Sequence, residues 1–136
     1  MLTDDKISIA NYRLERANEL LNLADKLIQD DILTSANRLY YAVFNIMRSV
    51  LALNCIDFKK HSGVIAYFRE NYLKANIFDK KYSNLIGKTE YIRNKSDYED
   101  FFVIKKSEVT IYLTEAKEFH KEVSKYIEKY IAELKS

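Results

Sequence analysis

The sequence predicts an all-α, up-and-down bundle of about five helices, and three observations carry that expectation. No proline and only two glycines interrupt 136 residues. Apolar residues recur at steps of three and four, and there is neither an alternating strand pattern nor a hairpin turn pair. At this length the chain is expected to fold as one domain, residues 1–136, with a core of useful size.

The first helix is expected over roughly residues 6 to 29, where Ala10, Leu14, Ala17, Leu21, Ala24 and Ile28 form one stripe. The second, from about 32 to 54, turns Ala36, Leu39, Tyr40, Val43, Met47, Val50 and Leu51 inward. It lays Arg38, Tyr41, Asn45 and Arg48 along another face. Tyr40 and Tyr41 are adjacent and point about 100° apart, so both cannot occupy the centre of the core, and one is expected to reach a polar partner. A third helix, with Ser62 as its expected N-cap, carries Val64, Ile65, Phe68 and Tyr72. A fourth, near 79 to 96, repeats Tyr82, Leu85, Ile86, Thr89 and Ile92, and Gly87 in its middle either permits close helix contact or weakens it. Residues 97–102 are expected to be irregular. The last helix, from about 107, carries Val109, Tyr112, Leu113, Ala116, Phe119, Val123, Tyr126, Tyr130 and Leu134. Short links between the helices give a bundle.

The net charge of +2 provides no global field for nucleic acid, but the cations are unevenly placed. Nine Lys and Arg residues stand against three acids between residues 59 and 95, leaving the rest of the chain net acidic. Such a run is usually a solvated face, so the individual residues matter more than the sum. The single Cys55 cannot form an intramolecular disulfide and has no zinc-ligand spacing around it, which fits a reducing, cytoplasmic setting. No signal peptide or membrane span is expected. Phosphate-loop, dinucleotide and metal-ligand motifs are all missing, so no metal and no cofactor is expected, and His120 stands alone on the last helix.

Three polar blocks remain: Ser35-Ala36-Asn37-Arg38-Leu39-Tyr40-Tyr41, Lys59-Lys60-His61-Ser62-Gly63, and Arg93-Asn94-Lys95-Ser96-Asp97-Tyr98. Cations, hydroxyls and stacking rings together suit RNA or a nucleotide. Lys59, Lys60, His61 and Ser62 at a helix start can together hold a phosphate, or can be no more than a cap with solvated lysines and a surface His. Arg93 can bind a phosphate or stabilise charge developing on it, with Asn94 donating and Tyr98 stacking or donating. Alternatively, Glu90, Arg93 and Asp97 simply pair along one helix face, at about 0.2 to 0.5 kcal/mol a pair. Most of the eleven tyrosines are expected to be boundary-packing residues.

In this order, the block from Ser35 to Phe44, the block from Lys60 to Ile65 and the block from Arg93 to Tyr98 resemble the HEPN domain, specifically its small stand-alone bacterial and archaeal members. The resemblance covers nearly the whole chain. It implies a helical bundle that pairs into a homodimer, with the polar ends of the fourth helices facing each other across a cleft. It further implies a metal-independent endoribonuclease, often the toxin half of a pair whose antitoxin is a small nucleotidyltransferase. In that mechanism an Arg, followed four to six residues later by a His, supports attack of a ribose 2′-hydroxyl on the adjacent phosphate.

Arg93 and Asn94 fit the pattern, but Asp97, Tyr98 and Glu99 stand where the His is expected, and proton transfer loses its usual agent. The resulting expectation is an RNA- or nucleotide-binding cleft built from Arg93, Asn94, Asp97 and Tyr98 with Arg38, Tyr41, Lys60, His61 and Ser62. The alternative is a non-catalytic partner module of a nucleotidyltransferase, with Tyr98 the candidate for adenylylation. A helical dimer without a ligand is the plainest reading of the composition.

Overall fold

A computed structural model describes residues 3–136. Five α-helices follow one another: α1 (Thr3–Leu27), α2 (Ile32–Ala52), α3 (His61–Phe68), α4 (Tyr82–Tyr98) and α5 (Lys106–Lys135). A π-helical turn, Arg69–Leu73, extends α3. No strand occurs among the described residues, so the all-α expectation holds.

α2 is the central element. It buries thirteen of its 21 residues, packs most extensively on α1, and also touches α3, α4 and α5. Its composition explains the position: Ala36, Ala42 and Ala52 let neighbours approach, while Leu39, Val43, Ile46, Met47 and Leu51 fill the space between them. The helix starts cleanly because Asp31 accepts from the Thr34 amide at 3.2 Å and from its hydroxyl at 2.6 Å. Buried hydroxyls find backbone carbonyls: Ser35 donates to Ala24 across the α1–α2 contact at 2.7 Å, and Ser49 to Ile46 at 2.6 Å.

The expected stripes lie inside, with Leu14, Tyr112, Tyr126 and Tyr130 half-buried at their margins and Leu134 exposed. A second packing centre is aromatic. Phe119 meets Phe68 and Phe78 edge-on at 5.7 and 6.3 Å and stacks on Tyr82 at 4.5 Å, while Phe68 stacks on Phe78 at 5.8 Å, which joins α3, α4 and α5.

Several boundaries move. α1 begins at Thr3 and ends at Leu27, α2 ends at Ala52, α4 begins at Tyr82, and α5 begins at Lys106. α4 continues through Asp97 and Tyr98, which were expected to be irregular; chain direction changes only at Glu99, where the backbone is extended. Ser62 does not cap α3. The capping position is Lys60, without a side-chain bond, and His61 is already the first helical residue.

The turn after α2 explains where α3 starts. The Ile56 amide donates to the Leu51 carbonyl and the Cys55 amide to the Ala52 carbonyl, both at 3.0 Å, which is a Schellman ending. Cys55 occupies its left-handed position at φ 58°. The chain then crosses the start of α3 with Phe58 lying against Gly63, where an added Cβ would stand 2.8 Å from the ring. Glycine at 63 is therefore what lets this link lie flat on α3 and fixes the height of His61 on the bundle.

Candidate functional site

Arg93 lies three-quarters of the way along α4 and reaches back onto α2. Its Nη2 donates to the Tyr41 hydroxyl at 3.1 Å, and its Nη1 to the Asn94 side-chain oxygen at 3.3 Å. The guanidinium carbon stands 5.5 Å from the Tyr40 ring centre and 5.6 Å from that of Tyr41. Asp97, one turn further along α4, brings its Oδ2 within 3.0 Å of Nε. That contact is an ion pair without a hydrogen bond, because the Nε–H is not aligned on the carboxylate. Burial works against the charge on Arg93, yet Tyr41 and Asp97 together hold its pKa above the ordinary value.

His61 enters the same cluster from α3. Its Nδ1 is 3.1 Å from the Tyr40 hydroxyl, the Phe44 ring lies 4.2 Å from its own, and Tyr41 meets it edge-on at 5.9 Å. Tyr40 and Tyr41 are themselves edge-to-face at 5.2 Å. Consecutive residues of α2 thus each support one polar group: Tyr40 points into the core and reaches His61, and Tyr41 lies at the margin and receives Arg93. Both tyrosines find polar partners, where the sequence promised one. Burial, then the fields of Arg93 and Arg48, lower the pKa of His61, so its ring is neutral at neutral pH. Burial pushes the Tyr40 phenol up to about 12, so it keeps its proton.

The cluster continues toward α1. Arg48 lies 5.8 Å from the centre of the Phe44 ring and donates to Asp57 Oδ2 at 2.9 Å. Arg13 reaches the same oxygen at 3.4 Å and the Arg48 carbonyl at 3.2 Å. Burial raises the Asp57 carboxyl, but bonds from Arg48 and the Phe58 amide more than compensate and hold it below the usual range. On the other side, Arg38, Asn37, Leu33, Thr34, Ser96 and Asp97 line an open groove of about 300 Å³ between the start of α2 and the end of α4.

Of the residues singled out in the sequence, Arg93, Asn94, Asp97, Tyr41 and His61 converge, and Arg38 faces Asp97 across the groove. Lys60 and Ser62 are exposed and join no bond in the cluster, and Tyr98 is 78% exposed beyond it. The basic run of residues 59–95 does not act as one patch, because Lys81 pairs with Glu118, Lys74 with Glu70 and Lys95 with Glu99. Tyr40, Phe44, Arg13 and Asp57 were not singled out as site residues. For Tyr40 the signals were its place in the first polar block and its adjacency to Tyr41, and for the Arg13–Asp57 pair there was none. No three His, Cys, Asp or Glu side chains converge as metal ligands among the described residues, and no helix is long and apolar enough to cross a membrane.

Fold and cluster together define a small α-helical bundle in which an arginine on the fourth helix is held by tyrosines of the second. A family model for the HEPN domain matches residues 7–127, and the chain belongs to that family. It is 30% identical to a UPF0332 protein of Thermotoga maritima over 126 residues, covering 92% of this chain and 96% of the relative. Two Methanocaldococcus jannaschii proteins, each named a "putative toxin", are also similar. One is 29% identical over 84% of this chain and 78% of its own length, the other 31% identical over 62% and 64%.

Proposed function

We propose that this chain is the toxin component of a toxin–antitoxin pair, that it binds RNA or a nucleotide at the Arg93 cluster, and that it cleaves RNA without a metal. The observation that carries this reading is the held guanidinium: Arg93 is fixed by Tyr41, Asp97 and the two tyrosine rings, yet stands beside a polar groove. A fixed cation in a partly desolvated site stabilises charge on a phosphoryl oxygen far more than a mobile one in water. The names of the two archaeal relatives support the toxin assignment. The reading includes a homodimer, a cytoplasmic setting and a nucleotidyltransferase as antitoxin. It also takes residues 1–136 as one domain.

Purified protein is incubated with total RNA in excess EDTA, with Arg93→Ala prepared identically. Cleavage by the wild type that the variant loses is the expected result; equal cleavage by both refutes a role for Arg93. A second reading is favoured by Tyr98, whose ring is 78% exposed at the end of α4 and thus accessible to an incoming transferase. In that reading the chain is a non-catalytic partner of a nucleotidyltransferase that adenylylates Tyr98. A mass increase of one AMP that persists in Tyr98→Phe refutes that residue.

A further inference from the structure

Tyr40 is 2% exposed, and its hydroxyl has one hydrogen-bond partner, His61 Nδ1. A buried phenol that keeps its proton needs an acceptor, and an unsatisfied one costs about 1 to 3 kcal/mol. The acceptor available is the Nδ1 lone pair, so the hydrogen-bond network assigns the proton of the neutral imidazole to Nε2. Nε2 makes no hydrogen bond among the described residues and is not fully buried, on a side chain that is half-buried. The ring around it is fixed, with Phe44 at 4.2 Å and Tyr41 edge-on at 5.9 Å.

We propose that Tyr40 locks His61 as a neutral Nε2–H donor, and that Nε2–H and the Arg93 guanidinium form a two-donor clamp on one phosphodiester of single-stranded RNA. The proposal rests on the cleft reading above and adds to it what His61 does. His61 then does not stand in for the motif histidine as a base, because its outward nitrogen already carries the proton. It supplies a directional bond to a phosphoryl oxygen while Arg93 supplies the charge. The groups that face His61 agree with a neutral ring: Arg93 and Glu90 come from α4, and Arg48, Tyr40 and Tyr41 from α2. The two arginines disfavour a third positive charge, and Glu90 offsets them only in part. Tyr40 is a positioning residue, since it acts only through His61.

The first test is nitrogen-15 NMR of the histidine rings in the free protein, which involves no ligand. The expected result is an Nε2-protonated, Nδ1-accepting His61 at neutral pH, replaced by a mixture of tautomers in Tyr40→Phe; a wild-type ring protonated on Nδ1 overturns the lock. The second test is fluorescence anisotropy with a short labelled single-stranded RNA in EDTA. His61→Ala is expected to bind about tenfold more weakly. His61→Gln, whose amide nitrogen falls near the place of Nε2, should stay within about threefold of wild type. Equal losses in the two variants overturn the donor role. If Arg93→Ala weakens binding and His61→Ala does not, the clamp is wrong and the cleft stands. If Arg93→Ala binds as the wild type does, the cleft reading itself falls, whatever the NMR shows of the tautomer.

Discussion

Replacing Arg93 by Ala separates a residue that holds the bundle together from one that the bundle merely carries. The Nη2 bond to Tyr41 contributes about 1 kcal/mol. Contact with the faces of Tyr40 and Tyr41 contributes about 0.5 to 1 kcal/mol at a half-exposed site. The one-turn pair with Asp97, which lacks an aligned hydrogen bond, contributes at most about 0.5 kcal/mol. Together these terms give a loss of about 2 kcal/mol, which corresponds to a fall in Tm of roughly 8 °C for a chain of this size. Urea denaturation followed by circular dichroism reads the difference directly, with an unchanged slope showing that the unfolded state is not altered. A variant as stable as the wild type would refute the view that Arg93 is structurally held. A more stable variant would show instead that the cluster stores unfavourable cation–cation interaction.

Three further outcomes follow from the same geometry. Cys55→Gly should raise stability by about 1 kcal/mol, because glycine occupies the left-handed position of the α2 ending without the Cβ penalty; the urea midpoint measures it, and no gain would mean the turn is not strained. His61 has a folded-state pKa below its ordinary 6.5, so the unfolded chain takes up the proton first. Its contribution to stability is complete above about pH 6.5 and is lost as pH falls below it; subtracting the profile of His61→Gln isolates that loss, and parallel profiles would contradict it. Phe119→Ala should cost about 3 to 5 kcal/mol in the same titration, since the ring is fully buried against Phe68, Phe78 and Tyr82. A cost below 1 kcal/mol would mean the aromatic centre repacks.

The local half of the site was legible before any folding was considered. Arg93 and Asp97 pair because four residues on a helix bring side chains together, and that spacing is written in the chain. Tyr40 and Tyr41 diverge for the same reason, and the core stripes of α1, α2 and α4 follow from a 3.6-residue period. The terminal signals were weaker. Ser62 is a good capping type, but the helix starts one residue ahead of it, because the Phe58–Gly63 contact and the end of α2 decide where the link joins α3. The π-helical turn at Arg69–Leu73 has no periodic signature of its own, since one extra residue in a turn leaves the apolar spacing of Val64, Ile65, Phe68 and Tyr72 readable as ordinary helix.

The sequence by itself determined the helical class, the buried faces and the pairing of residues one turn apart, because each depends on backbone geometry that repeats every few residues. Only the tertiary structure decided that His61 meets Tyr40, which lies 21 residues earlier, and that Arg13 and Arg48 share Asp57. Those meetings depend on how α3 and the link before it are laid across α2, and that depends on the summed fit of many side chains. A long-range contact has no period to read: what brings His61 and Arg93 onto the same pair of tyrosine rings is the packing of α3 and α4 on α2.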